Sequence, residues 1–307
     1  MGQRSIVPGT DIVVSGSTSN LGPGFDALSV AVTVYLKVRV TEVLADQPEV
    51  LDMQFVGGGA PPGENRIATG FRAAQARFGD PVPGLRVEVT SDIPMRAGLG
   101  SSAAATVAGM RLYEAATSPR TIGDFMEIAS GIEGHPDNAA AALLGGITLS
   151  CQHDDGRIST RAWRWPEEIR FIIATPEAEL ETAFARKVLP PQLSMHDAVF
   201  NLQRALLLLR SLETGAYGDL REALRDRWHQ PARQQFVPGL ADALALDHPA
   251  VLGAYLSGAG PSIAVLATDR HAEAAALLSD IYARLRVPCT VRTLSAYQPE
   301  VPVRIAS

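Results

Sequence analysis

Lysine is nearly absent from this chain of 307 residues: Lys37 and Lys187 stand alone among 27 Lys plus Arg. The lysine-bearing phosphate loop G-x-x-x-x-G-K-[ST] is excluded, for it occurs nowhere. The arginines that carry the cationic charge instead suit fixed, bidentate contacts to carboxylate or phosphate. Cysteine is scarce too. Cys151 and Cys289 lie far apart without metal-ligand spacing, which reads as two buried thiols in a reducing cytoplasm. Long apolar runs are missing. Leu206-Leu207-Leu208-Leu209 is far too short to span a bilayer, and Met1 to Ser15 lacks the apolar centre of a signal peptide. No membrane association and a cytoplasmic location are therefore expected. An excess of positive charge is missing as well. The net charge of −6 gives no general pull toward nucleic acid, and no nucleic-acid partner is expected.

What is present is a globular composition, 46% hydrophobic and 20% charged. The length suits one large domain or two smaller ones. The chain is organised around Pro94-Met95-Arg96-Ala97-Gly98-Leu99-Gly100-Ser101-Ser102-Ala103-Ala104-Ala105. A strand-like run, Leu85 to Ser91, leads into it, and a small-residue helix running to about Ala116 leads out. Gly98 and Gly100 can adopt positive φ and let backbone approach a ligand. Ser101 and Ser102 are good N-caps and could add phosphate or metal contacts. A glycine turn feeding a helix N-terminus is an anion site; equally, it is a way to start a buried helix.

Before this loop, Ile12 to Val14 reads as a strand, Ser17 to Asp26 as a loop, and Val30 to Val43 as a long strand. Gly57 to Gly63 is a further loop, and a helix is expected from about Arg66 to Arg77. After it, Thr121 caps a short helix to Ser130. Then follow Glu133-Gly134-His135-Pro136-Asp137-Asn138, an alanine-rich helix starting at Asn138 with Asp137 turned away or capping it, and a strand from Ile147 to Cys151. Gln152 to Pro166 is the expected change of subdomain, dividing the chain into 1–160 and 161–307. Beyond it come a strand at Arg170 to Thr175, helices at Met195 to Leu212 and Tyr217 to Arg227, and the glycine turn Ser257 to Ser262. A strand at Ile263 to Ala267, a helix at His271 to Leu285 and a strand at Cys289 to Leu294 complete the chain. In the first of those helices, Val199, Leu202, Leu206 and Leu209 form the apolar stripe. Long strands with segregated helices indicate an α+β fold.

Several of these loops coincide with one known pattern. Pro94 to Ala104 resembles the P-x3-G-L-G-S-S-A-A phosphate loop of the GHMP kinases, and Ser257 to Pro261 resembles their C-terminal glycine motif. Ser19-Asn20-Leu21-Gly22-Pro23-Gly24-Phe25-Asp26 and Glu133 to Asn138 are similar to motifs of the homoserine kinase family within them. So are Thr182 to Arg186 with Leu189-Pro190, and Gln230 to Arg233 with Pro238-Gly239. The resemblance spans almost the whole chain. It implies a two-lobed fold, with a ribosomal protein S5 domain 2-like N-terminal lobe and a ferredoxin-like C-terminal lobe. It also implies ATP and Mg2+ as cofactors, L-homoserine as substrate, O-phospho-L-homoserine as product, and a homodimer.

The same resemblance assigns residues. Asn20 and Asp26 form the substrate clamp, Asp26 accepting from the ammonium and Asn20 able both to donate and to accept; spacing alone favours instead an Asx-turn pair that only shapes the Gly22-Pro23-Gly24 loop. His135 and Asn138 face the substrate, although a His-Pro turn is commonly structural. Arg186 and Arg233 pair with its carboxylate, where the ordinary state of arginine is a solvated surface. Catalytic roles fall to Asn138 and Arg186. ATP is held by Pro94, Arg96, Ala97, Gly98, Leu99, Gly100, Ser101 and Ser102, with Asn65 bordering the adenine. Ser101 and Glu133 hold the metal. No residue stands out as a catalytic base. The alternatives are a GHMP kinase of another small hydroxylated metabolite, such as mevalonate or a sugar, and a non-catalytic relative that binds ATP or an amino acid.

Overall fold

The structure, a computed structural model, describes residues 6–300 apart from 49, 58–62, 179 and 181. Most of the expected Gly57 to Gly63 loop thus lies outside the described residues.

The first part of the chain builds β1 (Asp11–Ser19), β2 (Leu28–Leu44), β3 (Leu51–Phe55), α1 (Arg66–Phe78), β4 (Gly84–Ser91) and α2 (Ser101–Ala116). It continues with α3 (Ile122–Glu133), α4 (Asp137–Leu144), β5 (Ile147–Gln152) and β6 (Ile158–Trp163). These six strands form one sheet of order β3-β4-β2-β5-β6, with β1 on β2. The 17-residue β2 is its spine, pairing with β1, β4 and β5.

The rest comprises β7 (Arg170–Pro176), α5 (Thr182–Lys187), α6 (Met195–Thr214), α7 (Leu220–Ala223), α8 (His229–Arg233) and α9 (Leu240–Leu244). It ends with β8 (Gly253–Leu256), β9 (Ile263–Ala267), α10 (His271–Leu285) and β10 (Cys289–Leu294). The second sheet is antiparallel throughout, order β10-β7-β9-β8. That is the strand order of a ferredoxin-like unit, and the α+β expectation holds.

Side-chain alternation on the second sheet explains how the two parts join. Phe171 and Ile173 of β7 pack with Leu266 of β9 into the large core shared with the first sheet. Ile172 and Ala174 point the other way, onto Leu240, Leu278 and Ile281 of α9 and α10. Both faces of these strands are covered, which is why β9 reads as an unbroken apolar run. The chain also returns: Thr33 N–H donates to the Ser295 carbonyl and Tyr297 N–H to the Ala31 carbonyl, so residues 295–297 close against β2.

Several expectations are corrected. The first strand runs on through Ser19, because Ser15, Ser17, Thr18 and Ser19 are buried polar residues paired with β2 rather than loop residues. Residues 158–163, within the polar Gln152 to Pro166 stretch, form a strand, β6, of the first sheet. The Tyr217 to Arg227 helix is broken into a single 3-10 turn and the four-residue α7. Cys151 is exposed and Cys289 half-buried, so the two thiols are free but not core. Finally, most of the stripe on α6 does not face the core; of its four residues Leu209 alone packs against it. Val199, Leu202 and Leu206 are 42%, 61% and 60% exposed, whereas Phe200, Leu208 and Leu212 are buried.

Candidate active site

The two glycine turns lie back to back. Gly98 and Gly100 have φ of +75° and +70°. A Cβ on Gly98 would stand 2.2 Å from the Ser257 carbonyl oxygen, and one on Gly100 2.2 Å from Ser17 Oγ. Only glycine fits either place. Ser257 Oγ donates to the Gly98 carbonyl (2.7 Å) and Ser262 N–H to the Ala97 carbonyl (3.2 Å). Ser17 N–H donates to the Leu99 carbonyl (3.1 Å), and Thr18 Oγ1 lies 2.9 Å from both Tyr255 Oη and Ser257 Oγ. Strand β1 and the second turn thus hold the loop from behind.

Gly100 in the left-handed conformation is itself the N-cap of α2, with no side-chain cap. The expected capping by Ser101 or Ser102 is therefore corrected: both are in the first helical turn, and the turn's N–H groups are left for an anion. Ser101 and Ser102 line the cleft, as do Arg96, Ala97, Gly98 and Gly100. Leu99 is buried in the core, and Pro94 lines neither this cleft nor its neighbour.

The cleft, about 440 Å³, opens beside a second cavity of about 640 Å³. Arg96, Ser101 and Ser102 border both, and the second has apolar walls that include Leu36, Phe55, Ile67 and Val89. Asn65 stands in its wall and caps α1, its Oδ1 accepting from Ile67 N–H (3.1 Å) and Ala68 N–H (3.2 Å). A cavity with apolar walls next to an anion-binding turn suits a nucleotide base.

On the other side of the loop, Glu133 is the last residue of α3. Its Oε1 accepts from Ser102 Oγ (3.0 Å) and Thr106 Oγ1 (2.7 Å). Ser102, not the expected Ser101, is therefore the serine on the carboxylate, with Thr106 one helical turn behind it. A carboxylate at a helix C-terminus faces the negative end of the dipole, at a cost of about 0.3–1 kcal/mol. Helix stability does not account for it there.

The charged groups gather opposite. Arg186 Nη2 and Nη1 donate to Asp26 Oδ1 (2.7 Å) and Oδ2 (2.9 Å). Arg233 is buried, with Nε donating to the Ala185 carbonyl (3.0 Å) and Nη1 to the Gly258 carbonyl (3.1 Å). Burial first, then the charge of Arg186, pushes Arg233 down to about 10, which leaves it protonated at neutral pH. Both guanidinium groups lie over Phe25, 5.5 and 5.4 Å from its ring centre. Asn20 closes the Gly22-Pro23-Gly24 loop across six residues rather than as an Asx turn, its Oδ1 accepting from Asp26 N–H (3.1 Å), and its Nδ2 donates to the Gly258 carbonyl (2.8 Å). It lines the cleft as well.

Asp137 was expected to turn away or to cap a helix beginning at Asn138. It is instead the first residue of α4, buried, and part of the cleft wall. Its Oδ1 lies 2.7 Å from His135 Nδ1 and accepts from Asn138 N–H (2.8 Å). Asn138 is fixed by β1: Ser17 Oγ donates to its Oδ1 (2.8 Å), and its Nδ2 donates to Ser19 Oγ (3.2 Å). Sequence reasoning passed over Ser17, Ser19, Thr106 and Asp137. The available signals were the alternation of Ser17 and Ser19 and the one-turn spacing of Ser102 and Thr106.

The His135–Asp137 pair makes stability depend on pH. Burial pulls the His135 pKa down, but the hydrogen bond and charge of Asp137 outweigh it and leave it above 6.5. Burial pushes Asp137 up, but His135 and the Asn138 N–H outweigh it and leave it below 3.8. The histidine's contribution is complete below its unfolded pKa and lost as pH rises through the raised value; the carboxylate's is lost as pH falls through the lowered one. Asp137→Asn removes the two strongest upward causes and leaves burial and the charge of Arg186 pulling His135 down against the charge of Asp26 alone. Thermal unfolding between about pH 6 and 8 should then show stability declining in the native protein but not in the variant.

Comparisons with known proteins agree with this geometry. The family profile described as GHMP kinases N terminal domain matches residues 65–146, and the one described as GHMP kinases C terminal matches 208–280. Homoserine kinase of Nostoc sp. is 38% identical over 303 residues, 95% of this chain and 97% of the relative. Homoserine kinase of Thermus thermophilus is 39% identical over 261 residues, 83% and 86% of the two chains. Among solved structures, homoserine kinase from Cytophaga hutchinsonii superposes with a TM-score of 0.82 at 23% identity, over 97% of this chain and 98% of that one. L. major mevalonate kinase in complex with R-mevalonate superposes at 0.68 and 13% identity, over 97% and 99%. The structures speak for the two-sheet fold; the full-length sequence relatives speak for the family. The chain belongs to the homoserine kinase family of the GHMP kinases.

Proposed function

We infer that the protein transfers the γ-phosphoryl group of ATP to the side-chain hydroxyl of L-homoserine, giving O-phospho-L-homoserine for threonine biosynthesis. The observation that carries this reading is the charge pattern opposite the glycine loop. Two carboxylates, Asp26 and Asp137, face two guanidinium groups, Arg186 and Arg233, in one cleft. A zwitterionic amino acid enters such a site without unbalancing it, whereas mevalonate and sugars bring no ammonium.

The donor set at Glu133 fits magnesium, which prefers hard oxygen ligands. Glu133 and Ser102 would hold it. When bound, the metal neutralises charge on the phosphates. The protein's own part is positioning. The α2 N-terminus and the loop N–H groups seat the phosphates, and Asn65 with the apolar-walled cavity borders the base. Arg186 and Arg233 take the substrate carboxylate and Asp26 its ammonium. Asn138, fixed by Ser17 and Ser19, orients the hydroxyl. Each cleft carboxylate already has partners: Asp26 has Arg186, Asp137 has His135, and Glu133 has Ser102 and Thr106. None is a free base, and the hydroxyl proton leaves late, to the phosphate itself; a loose transition state tolerates that.

ADP release with Mg-ATP tests the reading, comparing L-homoserine, D-homoserine, L-threonine, mevalonate and galactose. Turnover with L-homoserine alone is expected. Turnover with another acceptor would discard the substrate clamp, and ATP binding without any turnover would favour a sensor.

The exposed stripe of α6 supports a homodimer. Met195, Val199, Leu202 and Leu206 are exposed and spaced four, three and four residues apart, the 3.5-residue repeat of a helix-pairing seam. The seam carries no charge and runs about 16 Å, so a second copy across a two-fold axis complements it. Leu202→Glu with Leu206→Glu should halve the mass seen by light scattering. An unchanged dimer would place the contact elsewhere. The ATP pool such a reaction consumes fits a cytoplasmic setting.

A further inference from the structure

Asp26 and Arg186, the groups assigned above to opposite ends of the substrate, are bonded to each other. Two guanidinium nitrogens meet both carboxylate oxygens at 2.7 and 2.9 Å. A ligand's carboxylate cannot take that edge of Arg186, nor its ammonium those oxygens of Asp26, until the pair opens. The pair can open. Its side chains are 36% and 33% exposed, so water reaches both groups as they part, even though the two-pronged contact is stronger than a single surface ion pair. Arg186 rides on α5, a helix of only six residues.

The neighbours decide what opens it. Arg186 feels the charge of Asp137 as well as Asp26, and Arg233 is pushed by the charge of Arg186. A carboxylate alone, taking Arg186, leaves Asp26 without its direct partner, near Asp137 and the incoming negative charge, with only the longer-range charge of Arg233 and of His135 to offset them. An ammonium alone, taking Asp26, leaves Arg186 without its direct partner, near Arg233 and the incoming positive charge, with the longer-range charge of Asp137 to offset them. A ligand with both charges exchanges one ion pair for two and leaves neither group without a direct partner.

We propose that the Asp26–Arg186 ion pair is the closed state of the amino-acid site and a specificity device: it yields to a zwitterion and resists ligands with only one of the two charges. This rests on the roles assigned to Asp26 and Arg186 under the proposed function.

Calorimetric binding of three compounds tests it: L-homoserine, 4-hydroxybutyrate, which lacks the ammonium, and 3-amino-1-propanol, which lacks the carboxylate. Asp26→Asn should weaken L-homoserine at least about tenfold yet strengthen 4-hydroxybutyrate about five- to tenfold, the usual scale of a coupling between two interactions. Arg186→Gln should do the mirror image, strengthening 3-amino-1-propanol. Loss of a purely structural contact weakens all three. If native protein binds L-homoserine but neither variant gains affinity for its half-ligand, the inference is overturned while the functional reading stands. If native protein binds no L-homoserine, the functional reading is overturned and the inference with it.

Discussion

Glu133→Gln should lower kcat about 10²- to 10³-fold with little change in folding, the scale of removing a group that stabilises transition-state charge. Glutamine keeps an oxygen where Ser102 Oγ and Thr106 Oγ1 donate, so Thr106, which is buried, need not lose its partner. Only the negative charge goes, and that charge sits at the C-terminus of α3, where it opposes the helix dipole. Thermal unfolding should therefore be unchanged or slightly improved. The magnesium concentration for half-maximal rate should rise, whereas KM for L-homoserine, held on the other side of the cleft, should move little. Steady-state kinetics across a magnesium series checks this. A variant with native kcat would remove Glu133 from the metal site.

Gly98→Ala is expected to cost both stability and rate. The new Cβ would meet the Ser257 carbonyl at 2.2 Å and the Gly260 N–H and carbonyl at 3.0 Å, all main chain of the second glycine turn. The left-handed backbone of residue 98 adds about 1–2 kcal/mol for any L-residue. With overpacking of about 1–3 kcal/mol, a total near 3 kcal/mol follows. The two turns must part, carrying the phosphate loop with them, and a shift of about 1 Å costs about 100-fold in rate. Gly131→Ala is the matched control. It lies inside α3 with nothing within 4 Å of its Cβ, and alanine there should stabilise by about 0.5–1 kcal/mol. The two melting temperatures should move in opposite directions, while kcat falls in Gly98→Ala and stays native in Gly131→Ala.

Local chemistry explains what the sequence let one read. Helix α10 (His271–Leu285) and strand β10 (Cys289–Leu294) begin and end where the pattern puts them. Thr121 caps α3 as its position suggests, its side chain accepting from Asp124 N–H. The glycine loop was legible because its turn chemistry is written in consecutive residues. What was not legible depends on partners distant in sequence. Serine and threonine in β1 look like a loop until their backbone is seen to pair with β2 and their hydroxyls to bond Asn138 and Ser257, 119 or more residues away. Asp137 looks like a capping residue until His135 folds back on it. The stripe of α6 has the right period for a core face, but period alone does not say which apolar face meets the core. Leu208 and Leu212 took that place because α7 lies on their side, and Phe200 is buried under the guanidinium groups of Arg204, Arg225 and Arg227. Likewise, nothing in the spacing of Asp26 and Arg186, 160 residues apart, announces that they pair.

The most direct measurement is the identity of the product. Native protein is incubated with Mg-ATP and L-homoserine, and the mixture is followed by phosphorus NMR and mass spectrometry. A phosphomonoester resonance should grow in step with ADP, coupled to the terminal methylene protons of homoserine, with the mass of O-phospho-L-homoserine. ADP accompanied only by inorganic phosphate, or phosphate attached at the carboxyl or amino group, would contradict transfer to the side-chain hydroxyl.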